Sequence, residues 1–158
     1  MFQELLKMDP SSMFDKEDVK EIYEIQNCGF PRLVYTSYFG VINKLPAEFE
    51  PIAICGAVPS WYNGKWMKKL APSWSIWKEW HDSTAPDKNE QYVKRFIPER
   101  LGKLDLEKTI MEIIGMAGSK TPCLLCYEKP GDFCHRHLVA EWLNTSKLVK
   151  ASEYNDTN

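Results

Sequence analysis

Apolar residues in this chain fall into two patterns: short dense runs, and positions repeating at helical spacing. Three runs read as core strands. Arg32 to Tyr38 (RLVYTSY) is rich in β-formers, and Pro51 to Cys55 (PIAIC) and Pro122 to Tyr127 (PCLLCY) are short and bounded by turn residues. Lys147 to Lys150 adds a possible short edge strand. Helical spacing fills the intervals. Val19, Ile22, Tyr23 and Gln26 mark an acidic first helix, over residues 12–28, that starts from Ser11 or Asp15 and is ended by Gly29 and Pro31. Tyr92, Phe96 and Ile97 mark Asn89 to Leu101; Leu106, Ile110, Ile113 and Ile114 mark Asp105 to Gly115, with Asp105 as its cap. A last helix carries Leu138 and Trp142, Val139 and Leu143 at i, i+4. Three to four strands with helices between them predict a small single α/β domain with a short, mostly parallel, Rossmann-like sheet flanked by helices. The expected domain spans 1–151, with residues 152–158 as a disordered polar tail.

Composition narrows the function classes. With 158 residues the chain is long enough for one full core, and a net charge of −2 gives no overall bias toward nucleic acid. Charge is uneven: residues 1–27 are acidic, whereas Ser60 to Trp80 carries Lys65, Lys68, Lys69 and Lys78 against Glu79. The start lacks the regions of a signal peptide, and no stretch approaches the roughly 20 apolar residues of a membrane span. Five cysteines without scaffold spacing suit reduced thiols and a cytoplasmic setting.

The chemistry concentrates between Thr121 and Asn144. A buried strand runs into Lys129-Pro-Gly-Asp132, where Pro fixes φ, Gly permits positive φ and Asp132 can cap the next helix. The first turn of that helix carries Cys134, His135, Arg136 and His137. A helix N-terminus favours an anion, Arg136 adds a fork of donors, and both histidines titrate near neutrality. Cys134 sits where a thiolate would be stabilised, and Cys126 ends near the same loop. A structural reading stands beside this: a cap whose arginine pairs with a carboxylate such as Glu128 or Glu141. No metal site is assigned. Cys123 and Cys126 form C-x-x-C, but positions i and i+3 on a strand face opposite sides. Cys126, Cys134 and a histidine would need a fourth ligand from elsewhere.

Ser60 to Asp82 holds Trp61, Trp66, Trp74, Trp77 and Trp80 with lysines interleaved. Trp74, Trp77 and Trp80, at i, i+3 and i+6, fit one buried helix face, and core packing is the favoured assignment. A ligand wall and a base-stacking surface are the alternatives. His81 reads as a surface residue, and Leu70 to Ser73 as a loop.

Cys126, Glu128, Lys129, Cys134, His135 and Arg136 stand in CYEKPGDFCHRHLVAEWL, which resembles the hallmark of the domain-of-unknown-function family 488: strand, polar loop, then Cys-His-Arg opening a helix. Val34 to Phe39, Ile54 to Trp61 and Leu70 to Ser73 are similar to one branch of that family, found among Gram-positive bacteria and phages. The likeness spans residues 33–143. It implies a compact α/β fold with a polar site, and brings no established reaction or cofactor.

Two principal functions are expected. The first is an enzyme, a hydrolase or transferase, on a small phosphate-bearing ligand such as a nucleotide or nucleotide sugar. Its catalytic candidates are Cys126, Cys134, His135 and Arg136, and its binding candidates Ser37, Tyr38, Gly56, Trp61, Ser73, Glu128, Lys129 and His137. The second is a nucleic-acid or modified-base binding module on the tryptophan and lysine stretch. A thiol redox or zinc site at Cys126 and Cys134 is a further alternative. Oligomeric state is not legible.

Overall fold

The computed structural model describes residues 31–155. The acidic first helix falls outside them. Five parallel strands form one sheet in the order β3-β2-β4-β1-β5: β1 Arg32–Tyr38, β2 Phe49–Ala53, β3 Lys65–Trp66, β4 Thr121–Cys126 and β5 Val149–Glu153. The sheet is thus larger than the three to four strands expected, and wholly parallel. β3 is the unforeseen strand. It has two residues, paired as Ile52 with Lys65 and Ala53 with Trp66, too few to show an alternating pattern. β2 starts and stops two residues earlier than its apolar run, which leaves Cys55 in the loop beyond the strand. β5 continues to Glu153 beside Thr36, so Ser152 and Glu153 belong to the sheet rather than to a tail.

β4 lies at the centre and is buried along Pro122–Cys126, as its continuous apolar run requires of a strand covered on both faces. Val34, Ile52 and Leu124 pack in one apolar cluster, and Ala53, Cys123 and Leu125 in another. Four helices contribute to the first cluster: α1 Trp74–Asp82 through Ile76, α2 Lys88–Glu99 through Tyr92 and Phe96, α3 Leu106–Ala117 through Ile110, Ile113 and Ile114, and α4 His135–Leu143 through Val139 and Leu143. Phe39, Val58 and Tyr62 join the second.

The helix ends follow local chemistry. Ser73 Oγ accepts from the Ile76 amide at 3.2 Å and Asp105 Oδ1 from the Lys108 amide at 2.8 Å, so each caps its helix. Gly118 closes α3 at φ 64°, a conformation that favours glycine. Asp132 does not cap α4. Cys134 is the N-cap, in extended conformation, because the turn through Gly131 (φ 91°) carries the chain two residues further before the helix begins. No helix among the described residues is long and apolar enough to cross a membrane.

The register sets the strand ends level with one another. Tyr38 lies beside Cys126 and Ala53 beside Leu125, and the Ile54 amide donates to Leu125 O at 2.9 Å. The loops leaving β2 and β4 therefore emerge side by side at the carboxyl edge, where open parallel sheets place ligands.

Candidate functional site

A cavity of about 800 Å³ opens at that edge. The strand ends contribute Cys55, Gly56 and Ala57 after β2, and Cys126, Tyr127 and Glu128 after β4. The start of α4 contributes Phe133, Cys134 and His135. Trp74, Trp77 and Trp80 of α1 and Tyr92 of α2 form an aromatic side, with Lys68, Ser73 and Arg100 around it. The volume suits a drug-sized or nucleotide-sized ligand, for which sites of roughly 300 to 1,000 Å³ are usual.

His135 is buried, and its Nε2 lies 2.7 Å from the Ile54 carbonyl oxygen. A carbonyl only accepts, so Nε2 carries the proton and donates, leaving Nδ1 with a free lone pair. Nδ1 lies 4.0 Å from Cys134 Sγ. Burial pushes the imidazole down to about 4, with the Ile54 carbonyl opposing and Arg136 reinforcing the shift. His135 is therefore neutral near pH 7, and donates through one fixed nitrogen. The sulfurs of Cys126 and Cys134 are bonded to each other as a disulfide, with Cα atoms 7.7 Å apart. Cys55, also against the cavity, is a free thiol that burial raises to about 11. It is a wall rather than a thiolate nucleophile at neutral pH.

Arg136 is fully buried and turned away from the cavity. Its Nε and Nη2 donate to the Glu153 carboxylate at 2.8–3.1 Å, and Nη1 donates to the Glu128 carbonyl at 2.7 Å and toward Cys126 Sγ at 3.5 Å. Thr36 Oγ1 donates to Glu153 at 2.6 Å. The guanidinium thus ties the end of β4 and the start of α4 to β5. The carboxylate it meets is that of Glu153, not of Glu128 or Glu141.

Of the tryptophans of α1, only Trp80 packs against the core; Trp74 and Trp77 are exposed. Ile76 is its fully buried anchor, while Trp74 is 70% exposed and stacks on Trp77 at 5.1 Å. Trp77 in turn stacks on His81 at 4.6 Å. Trp80 is half-buried, packs against Phe133, and donates through Nε1 to Asn89 at 2.7 Å. The helical spacing was sound, but the inward stripe runs through Ile76, and the tryptophans flank it on the cavity side.

Some cations of the described residues are held in ion pairs; others, the two that line the cavity among them, are not. Lys65, Lys69, Lys78, Arg95, Lys120 and Arg136 each meet a carboxylate. Among the described residues Lys68 and Arg100 meet none: Lys68 lies over the Trp66 ring, and Arg100 donates through Nε to the Ala71 carbonyl.

Of the residues singled out in the sequence, Cys126, Cys134, His135, Glu128, Gly56 and Ser73 line the cavity together. Arg136, Ser37, Tyr38, Trp61, Lys129 and His137 do not. Ser37 is buried in β1, and its hydroxyl has no partner among the described residues. Trp61 is exposed and packs edge-on against Phe39 and Tyr62. His137 lies in the first turn of α4, half-buried, with its ring lowered by burial and by Arg136. Sequence reasoning missed Lys68, Arg100, Tyr92, Phe133 and Cys55 as lining residues. Lys68 stood in the tryptophan-rich stretch, Phe133 in the stretch before the Cys-His-Arg turn and Cys55 next to Gly56, whereas Tyr92 and Arg100 carried no signal, because packing of α2 decides their position.

A family profile, DUF488-N3a, described as the active DUF488-N3 subclade, matches residues 41–147. No curated protein and no solved structure matches the chain.

Proposed function

This chain belongs to the DUF488 family, and from that premise we propose that its cavity binds a small phosphate-bearing ligand with a planar base, a nucleotide or nucleotide sugar, and acts on it as a hydrolase or transferase. The observation that carries the reading is the pairing of an aromatic side with two cations that meet no carboxylate. Trp74 and Trp80 line the cavity with ring surface for a base, and Trp77, held between Trp74 and His81, backs Trp74. Lys68 and Arg100 offer charge and donors to a phosphate. Both sets line one cavity, so a single ligand can meet them together.

The role division differs from the one read in the sequence. Arg136 is a positioning residue: it holds the Glu128 carbonyl and Cys126 in place from behind. Glu128 is the carboxylate lining the cavity, and becomes the candidate general base. His135 serves as a fixed neutral element rather than as an acid. The description of the subclade as active accords with chemistry as well as binding.

The test is a thermal-shift panel of phosphate, mononucleotides, ADP-ribose and nucleotide sugars, followed by product analysis for any compound that binds. A ligand at 100 times its Kd stabilises by about 2.7 kcal/mol, a readily measured rise in midpoint. Lys68→Met with Arg100→Met should abolish that rise, and Glu128→Gln should keep binding but lose turnover. Midpoints unmoved by every phosphate compound, or moved equally in the double variant, would overturn the reading.

A second reading has its own observation. The Trp74–Trp77–His81 stack is exposed at the cavity rim, an aromatic column suited to stacking single-stranded bases. It predicts tryptophan quenching by oligonucleotides that weakens steeply with salt.

A further inference from the structure

We propose that Cys126 and Cys134, once reduced, form with His135 a Cys2His site for a zinc-class transition metal whose fourth position opens into the cavity. The site is independent of the anion-binding reading, since none of its ligands is Lys68, Arg100 or a tryptophan.

Three observations converge on it. The two sulfurs and a ring nitrogen of His135 lie within 4.8 Å of one another, and all three residues are buried against the cavity. The His135 ring is already oriented: Nε2–H donates to the Ile54 carbonyl at 2.7 Å, so Nδ1 turns its lone pair to the cysteine side. Metal-binding imidazoles are held in this way, by a hydrogen bond from the nitrogen that does not ligate. Arg136 Nη1 points at Cys126 Sγ from 3.5 Å, and brings positive charge to where two thiolates would gather.

The donor set selects the ion class. Two thiolates and one imidazole suit zinc, at bonds of roughly 2.3 Å and 2.0–2.1 Å, and exclude magnesium or calcium, which require oxygen. The ligands sit on rigid elements, one at the end of β4 and two at the start of α4. Three protein ligands facing a cavity match the open arrangement of catalytic rather than structural zinc.

The disulfide closes the site. A dithiol reductant supplies two electrons and two protons to the Cys126–Cys134 bond, and is itself oxidised to a disulfide. Both cysteines become thiols. Binding of the divalent ion then releases the two thiol protons, leaving two metal–sulfur bonds. The site accordingly exists in the reduced protein and not in the oxidised one.

The experiment is cobalt(II) titration of the full chain, stripped with chelator and held reduced by a phosphine. Expected are thiolate-to-cobalt charge-transfer absorption and tetrahedral d–d bands that saturate at a single equivalent and are bleached by added zinc. Cys134→Ser should lose the charge-transfer band, His135→Gln should weaken binding at least about tenfold, and Cys123→Ser should behave as wild type. Should a serine variant fail to fold, oxidised wild type is the internal comparison, and should show no bands. Reduced wild type without cobalt bands would overturn the proposal, as would bands that persist unchanged in folded Cys134→Ser or in the oxidised protein. Loss of nucleotide binding in the thermal panel with cobalt binding intact would sink the anion reading alone.

Discussion

Glu153 holds the fully buried Arg136 from a strand 17 residues away, and its removal should be felt as the loss of a buried ion pair. Breaking such a pair from one side costs about 3–5 kcal/mol, because the other charge is left buried without a partner. Two features reduce that figure here. The Glu153 side chain is 27% exposed, so water screens part of the pair, and the Glu128 carbonyl continues to accept from Nη1. Glu153→Ala should therefore cost about 3 kcal/mol, near the lower end of the range. For a chain of this size that is a fall of roughly 10 °C in midpoint. Glu153→Gln keeps an acceptor for Thr36 and for one guanidinium donor, and should lose less. The assay is urea denaturation of wild type, Glu153→Ala, Arg136→Met and the double variant, with equal m-values required for comparison. The double variant should be more stable than the sum of the single losses predicts, by about 1–3 kcal/mol of coupling. Asp82→Asn, at the exposed Lys78–Asp82 pair, should change little. A Glu153→Ala loss no larger than that of Asp82→Asn, or strictly additive variants, would refute the claim that this pair ties the site together.

Ile76→Ala should destabilise by about 2–5 kcal/mol, whereas Trp74→Ala, two residues away, should leave the urea midpoint nearly unchanged and reduce ligand-induced fluorescence quenching. The Cys55 thiol, raised from its ordinary 9.0 to about 11, should alkylate roughly 100-fold more slowly at pH 8 than an unperturbed thiol. Its rate should climb about tenfold per pH unit up to pH 10, and a plateau below pH 9 in single-site mass spectrometry would contradict the burial argument. Chelator added to reduced, zinc-loaded protein should lower its thermal midpoint and leave that of oxidised protein unmoved, read by calorimetry.

Much of the fold lay in local pattern. β1 and β4 are dense apolar runs with turn residues at their ends, and α3 has a cap, a stripe and a closing glycine, so each could be located from neighbours in sequence. That Cys126, Glu128, Cys134 and His135 come together at one strand end was legible for the same reason: a buried strand, a short loop and a helix start must meet at the strand's carboxyl end. What was not legible depends on long-range pairing. Nothing near Arg136 announces Glu153, because their meeting requires β5 to lie parallel to β1 with Thr36 beside Glu153. The periodicity of Trp74, Trp77 and Trp80 gave a face but not its direction, which Ile76 settles by packing. Lys68 lies before α1 and Arg100 at the end of α2, and they meet because the Arg100 guanidinium donates back to the Ala71 carbonyl in the loop that leads into α1.

The strand order has a consequence for how the chain is made. On a ribosome β1 and β2 emerge early, yet they share no ladder, because β4 separates them. Until residues 121–126 have left the exit tunnel, the sheet has no centre, and β2 can pair only with the two residues of β3. Assembly of the site is therefore a late and cooperative event, dominated by contacts distant in sequence, which slows folding. Unpaired apolar edges are exposed in the meantime, and nascent chains arrested before Thr121 should bind chaperones that those released after Glu153 escape.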